Sequence, residues 1–435
     1  MSNISYVRTE MLPEQVPPNS APGPIKWMLE NLFNGVINSI LTIASIFFLW
    51  YVLAGILPWI WNGSWTAGSL KECRQLIAAA AGDDAGHHGA ACWAVIRERY
   101  LQLIYGFYPT ELYWRPNLAF ILMLVALAPI LFNSLPRKML WFSAVYPFVA
   151  FWLLWGGTLW LPIMIIAGFV LGYLAFAILG KALGSLVGVV AAILVPLIWW
   201  FGFAGLMTSL FSSAIPLALE PVESAKFGGF MLSIIIGVTG IVLSLPLGIL
   251  LALGRQTNLF IVKTLCVGFI EFIRGVPLIT LLFVASTLLN YFLPPGTTFD
   301  IILRVVIMVT LFAAAYMAET IRGGLAALPT GQYEAADALG LDYWKATRLI
   351  IMPQALKISI PGIVSNFIGL FKDSVLVSII GLMDPIGLTN NIRADANWNG
   401  IVWELYGFIA LMFFIVCFSM SRYSMYLERK LKTGH

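Results

Sequence analysis

The sequence predicts an all-α integral membrane protein, a polytopic helical bundle with about ten transmembrane helices. Three observations predict it. Of 435 residues, 60% are hydrophobic and 11% charged, whereas a soluble domain carries about a quarter charged residues, and the mean hydropathy is +0.89. Apolar runs of the about 20 residues needed to cross a bilayer recur along the chain. The short alternating segments of an outer-membrane barrel are absent.

Residues 1 to 24 contain Pro13, Pro17, Pro18, Pro22 and Pro24 and no apolar core of signal-peptide type, so a Pro-rich, disordered N-terminal tail is expected over 1–30. Spans are then expected near 36–60, 117–133, 140–156, 162–180, 185–211, 228–253, 265–293, 301–322, 358–382 and 401–420. Arg137, Lys138, Lys181, Arg255, Lys263, Lys345, Arg348 and the closing "RYSMYLERKLK" fall in connecting loops. One alternating path puts all of them in the cytoplasm, with both termini. The insert 61–116 is then extracytoplasmic. It holds Cys73 and Cys92, for which a disulfide is chemically permitted on that side; spacing alone leaves bridged and free thiols open. His87 and His88 between them read as a polar loop tip, because adjacent histidines point apart and no paired C-x-x-C accompanies them. Cys266 and Cys417 lie in apolar runs and read as small packing residues.

The net charge of +4 comes without a basic, aromatic-interleaved patch, which excludes a nucleic-acid footprint. Residues 31–220 form an accessory block rich in apolar and aromatic residues, and residues 221–435 hold most of the informative polar positions. Chief among these is "EAADALGLDYWKATRLIIMPQAL", residues 334–356, a charged interruption between two apolar runs. A short helix over 333–345 is expected there, with Glu334 in the first turn, where a carboxylate complements the helix dipole. On such a helix Ala336, Leu339, Gly340 and Tyr343 share one small, apolar face. That face suits the close approach of another surface, or of lipid headgroups if the helix lies flat on the membrane.

Resemblance decides between these. The stretch resembles the EAA loop of ABC importer permeases: Glu334, Ala335, Ala336, Gly340, Ile350 and Pro353 match, and Met352 stands for the usual Leu. "LSLPLGILLALGR" (243–255), "EFIRGVPLI" (271–279), "AAYMAETIRGG" (314–324) and "LFKDSVLVSIIG" (370–381) are similar to motifs of polar amino-acid permeases. "NLFNGVINSILT", "LIYGFYPTELYWRPNLA" and the C-terminal "MSRYSMYLERKLKTGH" look like the general L-amino-acid branch, and only about residues 160–215 stand outside the resemblance. It implies a five-helix type I permease core at 221–435, with Glu334, Ala335, Ala336, Gly340 and Pro353 coupling to a separate ATPase. It further implies a bacterial inner-membrane complex containing two ATPase subunits, a second and different permease chain, and a periplasmic amino-acid-binding protein.

Charges within spans must be paired, wet or functional. Glu319 and Arg322 lie at i and i+3 and can neutralise each other, whereas Lys372 and Asp373 point apart and need other partners. Glu319, Lys372, Asp373 and Ser374 are therefore expected to border a pathway for a zwitterion. Glu271 and Arg274 are expected to open a span as interfacial anchors or subunit contacts, with a bend at Gly275 and Pro277. No G-x-x-x-x-G-K-[ST] loop, H-E-x-x-H or G-x-S-x-G occurs, so no catalytic chemistry and no bound cofactor are expected of this chain; ATP and Mg²⁺ belong to the partner. An ion-coupled secondary carrier would show internal repeats or broken helices around a midplane site, and no convincing repeat is visible. A membrane-embedded enzyme or sensor would need chemistry in the 61–116 loop, where none is found.

Overall fold

The computed structural model describes residues 23–82, 89–132, 134–288 and 299–431. Most of the Pro-rich tail, and His87 and His88, lie outside the described residues. The chain divides into two units, Met1–Ala67 with Lys71–Ala94, and Gly68–Leu70 with Val95–His435.

In the first unit, α1 (Pro24–Asn31) starts with proline in its first turn, where the missing N–H costs nothing. Part of the expected disordered tail is therefore helical. Helix α2 (Val36–Trp61) is apolar on every face and has no buried residue, as suits a helix facing lipid. The chain then folds back on the end of α2: Ala91 N–H donates to Trp59 O (2.8 Å) and Ala94 N–H to Ser64 O (3.0 Å). Trp93 donates its indole N–H to Ile60 O (2.9 Å) and stacks on Trp65. A Cys73–Cys92 disulfide, Cα–Cα 6.1 Å, ties α3 (Leu70–Ala81) to this return. Of the two forms left open by spacing, the structure takes the bridged one.

The second unit continues with α4 (Ala94–Tyr105), the hairpin α5 (Trp114–Leu131) and α6 (Leu140–Trp155), and α7 (Trp160–Leu183), α8 (Ser185–Ile198) and α9 (Ala204–Ala214). Two short antiparallel strands, β1 (Gly157–Thr158) and β2 (Ala218–Leu219), close the α7–α9 excursion. A π-turn at Trp199–Phe203 joins α8 to α9, and the indoles of Trp199 and Trp200 donate to the carbonyls of Met164 (2.8 Å) and Ile165 (3.2 Å). Then come α10 (Gly229–Gln256), α11 (Phe260–Gly275), α12 (Leu278–Thr287), α13 (Ile301–Ala326), α14 (Gly331–Ala338), α15 (Tyr343–Ala346), α16 (Met352–Asp373), α17 (Pro385–Ala394) and α18 (Trp403–Leu431). Among the described residues, nine helical segments are long and apolar enough to span a bilayer, ten if the bent pair α11–α12 counts as one.

The bend expected at Gly275 and Pro277, in the span placed at 265–293, is sharp: α11 and α12 meet there at 102°, because Val276 is extended and Pro277 then supplies no N–H to continue the ladder. Two other sequence expectations need correction. The helix expected over 333–345 ends at Ala338. Gly340 takes φ +67°, and Gly340 N–H bonds Asp337 O (2.9 Å) while Leu341 N–H bonds Ala336 O (3.2 Å), a Schellman stop. Asp342 then caps α15 by accepting from Trp344 N–H (3.0 Å) and Lys345 N–H (3.1 Å). These backbone bonds, first that of Lys345, hold its carboxyl below the usual range. Ala336, Leu339, Gly340 and Tyr343 thus share no helix face. Finally, the span expected to begin near 358 is helical from Tyr343 to Ile380, passing through a π-turn at Thr347–Ile351.

Helix α10 packs on α13 more extensively than any other pair, and Gly248 of α10 meets Met317 and Ala314 of α13 where a side chain would collide. At the end of the unit where α10 begins, three backbones converge: Gly106 lies on Gly228, Gly229 on Leu103, and Gly229 N–H bonds Met383 O (2.8 Å). Nearby, Arg99 and Asp395 form an ion pair. Asp384 is fully buried at the start of α17, accepting from Ile386 N–H (3.1 Å) and Gly387 N–H (3.0 Å). Burial outweighs these bonds and pushes its carboxyl up to about 6 from 3.8.

A raised carboxyl pKa means that ionising Asp384 costs folded-state stability as pH climbs from about 4 to about 6, by up to about 3 kcal/mol. Between pH 7 and pH 5 the thermal midpoint of the native chain in detergent should rise relative to that of Asp384→Asn, which still caps α17 but does not titrate. Parallel curves would contradict the assignment.

Candidate functional site

Two groups of residues stand out in the second unit, one at the end carrying α14 and one inside the bundle. Helix α14 is amphipathic in a restricted sense. Ala336 is 1% exposed, whereas Glu334, Ala335, Asp337 and Gly340 are exposed. Large apolar side chains follow in the open: Leu339 is 72% and Trp344 68% exposed, with Tyr343 and Leu349 similar. Pro353 lies in the first turn of α16. Glu334 sits in the first turn of α14 as expected, without a cap hydrogen bond from Thr330. Beneath this surface Leu328, Ile351, Met352 and Ala355 join Ile321 and Leu325 of α13 in one buried cluster. The segment is thus an exposed apolar and aromatic surface on a packed base, of the kind that another surface can cover.

Along the interior, α13 and α16 lie close because their contact residues are small. A side chain on Gly324 would collide with Ser359 and Ala355, and one on Gly362 would reach Thr320 at 2.7 Å. Ser359 donates to Thr320 O (3.2 Å) and Asn366 to Thr320 Oγ1 (2.8 Å). Adjacent Glu319 is a hub: its carboxylate pairs with Arg322 on its own helix, with Arg255 at the end of α10 (3.1 Å) and with Arg274 of α11 (3.7 Å). Arg255 also bonds Glu271 (2.9 Å), and the Arg274 guanidinium stands 5.6 Å from the Tyr316 ring centre.

The Glu319–Arg322 pair expected from sequence is present, as part of a larger network. Glu271 and Arg274 lie in the last turns of α11 and not at its start, and both pair inside the chain. Nor do the four pathway residues share one cavity. Thr320 meets Asn366, and Lys372 lies six residues beyond it, about 9 Å further along the helix. Ser374 is fully buried and spends its hydroxyl on Phe371 O (2.7 Å). Lys372 is exposed and Asp373 half-buried, and no ion pair engages either among the described residues. Sequence reading missed Arg255 and Arg274 as partners of Glu319, because 64 and 45 residues separate them and spacing rules reach only one helix.

Residues 244–433 match the family described as binding-protein-dependent transport system inner membrane component. Over all of both chains the sequence is 58% identical to the glutamate/glutamine/aspartate/asparagine transport system permease protein BztC of Rhodobacter capsulatus. It is 39% identical to the inner membrane amino-acid ABC transporter permease protein YhdY of Escherichia coli, covering 94% of this chain and 93% of the other. A crystal structure of an amino acid ABC transporter with histidines is 29% identical over 46% of this chain and 90% of that one, with a TM-score of 0.41. The chain belongs to the family of polar amino-acid ABC importer permeases. It is thus a multi-pass inner-membrane subunit, non-catalytic and dependent on a separate ATPase for hydrolysis.

Removing the hub charge should loosen the α10–α11–α13 contact. Glu319→Gln leaves three arginines facing Glu271 alone, and should lower unfolding free energy in detergent by about 1–3 kcal/mol, discounted for partial exposure. Arg322→Gln, which leaves Arg255 and Arg274 on Glu319, should cost less. Equal losses would contradict the hub reading.

Proposed function

We propose that this chain translocates L-amino acids from periplasm to cytoplasm by alternating access, its transport driven by an ATPase that docks on α14 and α15. The observation that carries this is the exposed Leu339–Tyr343–Trp344 surface above the buried Ala336, at one end of the bundle and continuous with α16. On this reading Glu334, Ala335, Ala336, Gly340 and Pro353 form or support the docking element, and that end of the bundle is cytoplasmic. The chain termini are cytoplasmic too, and the 61–116 insert is periplasmic.

The relatives' names support the substrate class. One is described as carrying glutamate, glutamine, aspartate and asparagine and the other amino acids generally. The family's description as binding-protein-dependent supports this reading, and the assembly we propose has a periplasmic amino-acid-binding protein, two ATPase subunits and a second permease chain, a heterodimer. Residues 221–435 form the translocating core and 31–220 an accessory region after the 1–30 tail. Asp373 and Lys372, neither of which has an ion-pair partner among the described residues, border the pathway; Glu319, on the neighbouring helix α13 and apart from them, acts as the lock on the cytoplasmic half.

The test is purification of the tagged chain from its native membrane in mild detergent, with mass spectrometry of the companions. An ATPase subunit should co-purify and be lost with Glu334→Lys, while the variant stays folded by its melting curve. Isolation of the chain alone, under conditions that keep other membrane complexes whole, would overturn the docking assignment.

A further inference from the structure

We infer that Gln354 is a positioning residue for energy coupling, clamping the docking helix α14 to the transmembrane helix α16 across the π-turn between them. Its side-chain amide N–H group donates to Gln332 Oε1 of α14 (2.9 Å) and to the backbone carbonyl of Ile350 inside the π-turn (3.0 Å). The Ile350 carbonyl only accepts, so the nitrogen must be the atom facing it. That fixes the direction of the bond to Gln332: Gln354 gives and Gln332 receives.

A π-turn between two helices is a natural point of give, since one residue more per turn loosens the backbone ladder. Thr347–Ile351 is such a turn, and it lies between the element that meets the motor and the helix that carries Ser359, Asn366, Lys372 and Asp373. A push on α14 is absorbed there unless something bridges the turn. Buried Leu328, Ile351 and Met352 hold the two sides together without direction. Gln354, on α16, adds one directed bond to α14 and one to the turn itself, both partly sheltered from water, where such bonds hold more firmly than in solvent. Motion of α14 then moves α16, and through Thr320 it reaches α13 and the Glu319 network.

This rests on the ATPase-docking reading, and the test separates the two. The complete complex is reconstituted in vesicles with its binding protein, and uptake of a mixture of radiolabelled L-amino acids is measured beside ATP hydrolysis. Gln354→Met keeps the length and removes the amide from both bonds; Gln332→Met removes only the acceptor on α14. Gln354→Met should lower the uptake obtained per ATP by about tenfold, the scale of one lost hydrogen bond, with the ATPase still bound. Gln332→Met should lower it too, and the double variant no further than Gln354→Met alone. An uptake per ATP unchanged in either single variant, or parallel loss of uptake and hydrolysis, would overturn the clamp. An unaltered chain that holds no ATPase would instead overturn the docking reading on which it stands.

Discussion

An ionised carboxylate among apolar helices must be met by cations, and Glu319 meets that constraint by drawing arginines from three helices to one point. This contact fixes how α10, α11 and α13 stand at one end of the second unit. Arg274 reaches Glu319 only because α11 stops at the bend before Pro277, and Arg255 only because α10 runs on to Gln256. The arginines outnumber the carboxylates, and Arg274 leaves its Nε without a partner among the described residues.

The rest of the core is arranged around close approach. Gly248, Gly324 and Gly362 let α10, α13 and α16 touch at van der Waals distance, and Ser359 and Asn366 then reach the carbonyl and hydroxyl of Thr320 in partly buried bonds. At the opposite end Gly106, Gly228 and Gly229 bring the stretch after α4, the start of α10 and the turn at Met383 into backbone contact. The inserted residues after α4 are therefore built into the second unit by geometry that larger residues would not permit.

Much of this was legible in the sequence, and the rest was hidden for physical reasons. Nine of the ten expected spans exist, since hydropathy depends only on local composition; most ends fall within a few residues, the exceptions being the starts at Thr110 and Tyr343 and the end at Leu431. The bend at Gly275–Pro277 was readable because proline acts locally. The break at Gly340 was equally local: glycine followed by Asp342 is a stop and a start in three residues, but the apolar periodicity running through it concealed the signal. Partners of Glu319 and Gln354 lie across helices, beyond any spacing rule. The separation of Glu319 from Lys372 and Asp373 likewise depended on the register of α13 against α16, which the glycines set and the sequence does not display.

Central to the account is that a separate ATPase, and not an ion gradient, drives this chain. The most direct measurement is uptake of radiolabelled L-amino acids by cells whose transport depends on this system, under two treatments. One depletes ATP while the membrane potential is maintained by respiration; the other collapses the proton gradient with an uncoupler while ATP is held up. The account predicts that uptake stops in the first and persists in the second. Persistence without ATP, with loss on uncoupling, would contradict it.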